Sequence, residues 1–295
     1  MPGLLKPVRH LLAAALVAVI VSTTSAEANF EKVSFPPATA TVVSSALVHP
    51  HKLALRYDVY AGGFKALNAS LNMDLDKKAY DMKLEAETQG FIGSLFPWKA
   101  SFNASGHTVK GALVPTVYTE RSTWKKGLKV TEMNYAPNGK MLKMTTQSDG
   151  KTTTDRNIDD VLVDNTVDLL TGALNIFQHV KKTTKCAGSF PIFDGKRRYN
   201  ITLVDDGKET LEPSKYSRFA GEALRCTLKV EPVAGFDKKD NKRGWMAIQN
   251  HTEERRKLPT LWLASVKENN NQVIPVRMEI ASAYGAVVAH LSQQD

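Results

Sequence analysis

Leu53-Ala54-Leu55-Arg56-Tyr57-Asp58-Val59-Tyr60, followed by Gly62-Gly63, is the stretch on which the fold turns. Leu53, Leu55, Tyr57 and Val59 fall on one side of an extended chain, Arg56 and Asp58 on the other. Successive side chains of a strand point to opposite faces, so this is a half-buried strand closed by a glycine pair. The next stretch repeats the pattern with Leu67, Ala69, Leu71, Met73 and Leu75, then turns at Asp76-Lys77-Lys78. Tyr80, Met82, Leu84 and Ala86 make a third strand. Three alternating strands joined by tight turns predict an antiparallel meander.

Further along, alternation is lost between Gly90 and Trp98, where Pro97 intervenes, and a short helical turn or rim loop is expected. Strands resume near Ala100. Hairpin signals follow at Lys125-Lys126-Gly127, at Asn138-Gly139 between Tyr135 and Met141, and at Asp149-Gly150. From Asp159 to His179 the period changes. Val163, Val167, Leu170, Leu174 and Phe177 recur at steps of three and four, and Leu162, Leu169, Ala173 and Ile176 widen the stripe. With Asp in its first turn and Lys181-Lys182 past its end, this segment predicts one amphipathic helix.

Beyond the helix, Tyr199, Ile201 and Leu203 alternate before an expected Asp206-Gly207 turn. Leu224, Cys226, Leu228 and Val230 place Cys226 on an inward face. A charged loop runs from Asp237 to Arg243, and closing strands are expected near Leu261 to Val266, Ile274 to Ile280 and Tyr284 to His290. The fold class is therefore mainly β: a strongly curved antiparallel sheet, half-barrel or β-spiral, with one amphipathic helix packed on it. That helix plugs or covers the concave face.

At the N-terminus, Lys6 and Arg9 precede an apolar run from Leu11 to Val21 and small residues around Ala26-Glu27-Ala28. This is the pattern of a secretory signal peptide, cleaved after Ala26 or Ala28, and its apolar run is too short for a membrane anchor. No other apolar stretch is long enough to span a bilayer. The chain divides into residues 1–28 as signal peptide, 29–52 as an arm carrying Pro36, Pro37 and Pro50, and 53–295 as a single curved-sheet domain. Loss of Lys6, Arg9 and Glu27 takes the formal charge from +9 to +8. In an exported chain, Cys186 and Cys226 are expected to form a disulfide, since they lack the C-x-x-C spacing of a redox pair.

Motifs for catalysis do not hold. No H-E-x-x-H or G-x-S-x-G occurs, and Gly150-Lys151-Thr152 lacks the glycine that a phosphate loop needs where Thr145 stands. Ser122-Thr123-Trp124-Lys125 and Ser148-Asp149-Gly150-Lys151 fit S-x-x-K, but both lie in predicted hairpins, and that chemistry starts a helix with its serine. His49-Pro50-His51 has no cysteine or carboxylate beside it to complete a metal site. The expectation is a non-enzymatic chain without cofactor or metal. Triplets for N-glycosylation begin at Asn68, Asn103, Asn200 and Asn250, and matter only in a glycosylating host.

Basic clusters at Lys181-Lys182, Lys196-Arg197-Arg198, Lys238-Lys239, Lys242-Arg243 and Arg255-Arg256-Lys257 are either a solvated surface or a means of attracting an acidic partner. Export and the absence of aromatic–basic stacking motifs argue against nucleic acid.

Several blocks in order resemble a proteobacterial family catalogued as domain of unknown function 3108. They are Leu55-Arg56-Tyr57-Asp58-Val59-Tyr60 with Gly62-Gly63, Phe193-Asp194-Gly195-Lys196-Arg197-Arg198-Tyr199, Leu258-Pro259-Thr260-Leu261-Trp262, and Ile274-Pro275-Val276-Arg277-Met278 followed by Tyr284-Gly285. The resemblance spans Leu53 to Leu291. It implies a periplasmic location and a curved sheet similar to the half-barrels of periplasmic lipoprotein carriers, and it implies no known enzymatic activity. The expected function is a monomeric periplasmic protein binding an apolar or anionic envelope component: lipid, lipoprotein, wall polymer or a peptidoglycan-associated protein. The alternative is a scaffold for envelope assembly or integrity that holds no small ligand. For a ligand or partner, the candidate residues are Lys196, Arg197 and Arg198, with Trp262 as an apolar contact.

Overall fold

The alternation of Leu53, Leu55, Tyr57 and Val59 carries directly into the backbone: all four are buried along β1 (Lys52–Ala61) while Arg56 is exposed. The computed structural model describes residues 52–125, 127–237, 258–266, 271–282 and 285–294. The expected signal peptide, nearly all of the arm, His49, His51, Asn250, Tyr284 and the basic clusters between 238 and 257 lie outside the described residues.

β2 (Phe64–Leu75), β3 (Ala79–Thr88) and β4 (Trp98–Val109) keep the same phase. Met73, Met82 and Phe102 are fully enclosed on the inward face. Gly62 and Gly63 turn β1 into β2 with φ of 57° and 87°, a region open to glycine at little cost. The interruption at Gly90 to Trp98 is a short helix, α1 (Gly90–Leu95). The meander goes on through β5 (Ala112–Trp124), β6 (Gly127–Tyr135), β7 (Met141–Ser148) and β8 (Lys151–Asp155), turning where the hairpin signals stood.

The amphipathic stripe forms two helices rather than one: α2 (Asp160–Val163) and α3 (Leu169–Thr183). Two aspartates cause the break. Asp159 accepts from the Val161 N–H at 3.0 Å to start α2, and Asp168 accepts from the Thr171 N–H at 2.9 Å to start α3. Between them Val167 leaves the helix and makes a parallel bridge with Ile192, donating to the Pro191 carbonyl at 3.3 Å and accepting from the Phe193 N–H at 3.0 Å. Lys181 and Lys182 lie in the last turn of α3, where cations suit the exposed carbonyls.

The return half consists of β9 (Gly188–Phe193), β10 (Arg198–Leu211), β11 (Gly221–Ala234), β12 (Thr260–Val266), β13 (Gln272–Ser282) and β14 (Gly285–Gln294). Asp206-Gly207 does not end a strand, contrary to the expectation of a turn there. β10 runs through it with a bulge between Asp205 and Lys208, and the turn lies beyond Leu211. A G1-type bulge and a tight hairpin turn can both use a glycine at positive φ, which Gly207 supplies at 80°, so the dipeptide alone does not separate them.

The fourteen strands of the described residues form one antiparallel sheet in the order β8-β7-β6-β5-β4-β3-β2-β1-β14-β13-β12-β11-β10-β9. First and last strands pair in its middle, with Leu55 opposite Gln294 and Ala61 opposite Val287. Bulges on β1, β4, β6, β10 and at Trp262/Leu263 add local bend and twist to the sheet. Among the described residues the sheet is not closed by backbone pairing: β8 and β9 are its two edges. The chain between those edges is the helical segment, and α3 lies inside the curve, touching β4 and β5 on one flank and β9 and β13 on the other. β8 is short and exposed at every residue, with Lys151 and Asp155 at its ends, features that discourage further pairing.

Candidate functional site

The apolar face of α3 does not fill the curve. Leu169, Ala173, Ile176 and Phe177 on the helix face Ile201, Leu228, Val230, Leu261, Met278 and Ala289 on the sheet across a cavity of about 180 Å³. Its lining is almost wholly apolar. Tyr57 contributes its ring, because its hydroxyl donates to the Pro275 carbonyl at 2.8 Å, and burial pushes that phenol far above its ordinary range. A dry apolar void of roughly 150 Å³ is enough to admit a benzene-sized guest. This space can therefore hold a ring or a stretch of hydrocarbon chain.

Both ends of α3 are fixed. At its start the Thr171 hydroxyl donates to Asp168 Oδ2 at 2.7 Å and lies 2.8 Å from the Tyr80 hydroxyl on β3. Just past its end, Cys186 is bonded to Cys226 on β11 across a Cα–Cα distance of 5.4 Å, and its N–H donates to Asp205 Oδ2 at 3.1 Å. Pairing of the two cysteines and the inward placing of Cys226 thus agree with the reading of the sequence.

A second constellation lies where the two flanks of the open sheet meet. Glu120 on β5, opposite Thr131 on β6, is only 2% exposed. The turn from Asp194 to Arg197 between β9 and β10 packs against that flank: a Cβ on Gly195 would sit 3.3 Å from Thr131 Cγ2 and 3.5 Å from Met144 Sδ. Glu120 Oε2 and the hydroxyls of Tyr118 and Tyr199 are buried without hydrogen-bond partners among the described residues. Burial pushes Glu120 from 4.5 up to about 7, with Lys129 and Arg197 pulling it down and Asp194 pushing it up. Asp168 is pushed by burial from 3.8 to about 6, against its two bonds from Thr171. The sheet gap is thus spanned by side chains instead of a backbone ladder.

Arg197, expected on a solvated basic hairpin, points into this seam and is 8% exposed. Its Nε donates to Asp194 Oδ2 at 2.8 Å, and Asp194 Oδ1 accepts from the backbone N–H of both Lys196 and Arg197. Lys196 lies outside, 3.5 Å from Asp237, and Arg198 Nη1 donates to the Val161 carbonyl at 2.9 Å. Trp262 belongs to another cluster. Its indole N–H donates to Glu209 at 3.0 Å and its ring lies between the guanidiniums of Arg225 and Arg277, at 5.9 and 4.7 Å. The sequence-predicted grouping is therefore divided: Trp262 sits with Glu209, Arg225 and Arg277, and Arg197 with Asp194.

Ser122 lies on β5 and Ser148 on β7, neither at a helix start. Glu120 was the missed residue of the seam. Its signal was present, since it stands in phase with the inward Tyr118, but only the fold shows what it faces.

The family described as "Protein of unknown function (DUF3108)" matches residues 56–292. No curated protein matches the chain. Among solved structures the chain is similar to one described as a crystal structure of a beta-barrel-like protein of domain of unknown function DUF1849 from Brucella abortus. Identity is 9% and the TM-score 0.44, over 83% of this chain and 97% of that chain.

Proposed function

The chain belongs to the DUF3108 family, and from that premise we propose that it works by holding a molecule rather than converting one: a periplasmic envelope protein that takes an acyl chain between α3 and its sheet. The observation that carries this reading is the cavity of about 180 Å³ with its almost wholly apolar walls. Water gains little there, because the lining offers no set of polar partners, whereas hydrocarbon leaves water at a gain of about 0.8 kcal/mol per methylene. The basic balance of the chain, +9 over its whole length, supports a ligand with an anionic headgroup. The N-terminal apolar run supports export.

The test is native mass spectrometry of protein taken from the periplasm of the producing cell, followed by mild denaturation. An acyl-containing mass is expected. Ala173→Phe, which puts a ring into the cavity, is expected to remove that mass and leave the fold intact. A bare chain in both proteins overturns the reading and leaves the alternative, a scaffold for envelope assembly that binds through its surface.

A further inference from the structure

The short helix α1, Gly-Phe-Ile-Gly-Ser-Leu, buries none of its six residues. Phe91 is 75% exposed and Leu95 49%, and across the rim Phe64 is 74% exposed. The helix starts beside the beginning of β2, on the same rim as Phe64: the Gln89 N–H donates to the Ala66 carbonyl at 2.9 Å, and a Cβ on Gly90 would sit 3.9 Å from the Lys65 carbonyl oxygen. The neighbouring turn joins the same rim, since the Lys125 N–H donates to the Pro97 carbonyl at 3.2 Å and Phe96 stacks on Trp124.

Core packing does not explain Phe91 and Leu95, which stand out from the fold while Ile92 between them is half-buried. Exposed apolar groups gathered at one place mark a contact. Lysines stand on the same rim: Lys125 is exposed, while Lys65 and Lys99 are paired with Asp58 and Glu87 at 2.9 and 3.6 Å through side chains that are 42% and 67% exposed. Aromatic rings with lysines at their border fit the boundary between headgroups and acyl chains, where the ring enters and the ammonium remains among phosphates.

We infer that the rim carrying Phe64 and Phe91 is a docking surface for an anionic lipid bilayer. It stands apart from the cavity reading, and either can fail alone. The test is co-sedimentation of the protein, purified as the producing cell processes it, with vesicles of phosphatidylethanolamine and phosphatidylglycerol, and with vesicles of phosphatidylcholine alone. Binding to the anionic vesicles is expected, lowered roughly tenfold or more in Phe64→Ser/Phe91→Ser and about fivefold in Lys125→Glu. These side chains are exposed, so the variants should keep the wild-type Tm and any acyl mass. Unchanged partition of the double variant, equal binding to phosphatidylcholine, or self-association that the double variant abolishes in place of vesicle binding would each overturn the proposal.

Discussion

The Tyr80 hydroxyl on β3 lies 2.8 Å from the Thr171 hydroxyl on α3. Since Thr171 gives its one proton to Asp168 Oδ2 at 2.7 Å, Tyr80 is the donor of the pair, and a chain of two bonds runs from the sheet through Thr171 to the helix cap. Thr171→Val breaks both and strands a buried carboxylate oxygen and a phenol. The expected loss is about 3 kcal/mol, against about 1 for Tyr80→Phe, which removes only the outer bond. Urea unfolding of the two variants measures the ratio, and equal losses would contradict the direction of the chain.

Gly106 lies directly opposite Tyr80 in the ladder between β3 and β4. A Cβ there would meet the Tyr80 hydroxyl and the Val114 carbonyl oxygen well inside contact distance, and the carbonyl is backbone that cannot turn away. Gly106→Ala is expected to cost about 3 kcal/mol. The additional expectation is non-additivity: with Tyr80 already replaced by Phe, part of the clash is gone and the cost falls. A double-mutant cycle checks it.

Stability should decline as the solution passes from mildly acidic to neutral. Glu120 holds its proton up to about pH 7 in the folded chain but loses it near 4.5 when unfolded, so the protonated folded state is favoured at low pH. That contribution is full below about pH 4.5 and is lost as pH rises through about 7, a total of about 3 kcal/mol. Asp168, raised to about 6, acts in the same direction. Denaturant midpoints measured from pH 5 to 8 should fall for the natural chain and flatten in Glu120→Gln. A midpoint that rises over that range would exclude a buried, neutral Glu120.

Cys186 and Cys226 are separated by 40 residues. Closing such a loop is worth about 4 kcal/mol by the chain-entropy model. Reduction, or Cys186→Ala with Cys226→Ala, should lower stability by that order and raise amide exchange in the last turn of α3, while the Asp168 end keeps its protection. Exchange followed by mass spectrometry with and without reductant would show it.

Strand positions were legible because a strand with one buried face writes its orientation locally, as Leu53 to Val59 do. The inward placing of Cys226 was legible for a similar reason, its alternation with Leu228 and Val230, whereas the pairing with Cys186 was read from export and from the lack of C-x-x-C spacing. Contacts set by distant parts of the chain were not. Asp-Gly-Lys-Arg-Arg reads as a solvated turn, and only the approach of β6 and β7 shows that Arg197 is enclosed, although Asp194 three residues earlier was its available partner. The helical stripe hid its own break for the opposite reason. Val163 and Val167 are in phase with the helix, so hydrophobic period favoured continuity while the side chains of Asp159 and Asp168 ended it.

The pairing of Leu55 with Gln294 has a temporal meaning. A chain made and moved from its N-terminus carries β1 with one side unpaired until β14 arrives. The ladder joining β1 and β14 closes the longest sequence separation of any strand pair in the described sheet, so it is among the slowest contacts to form. Half-made chains of this protein would present open strand edges, and a cell making it must keep them from one another until β14 has joined β1.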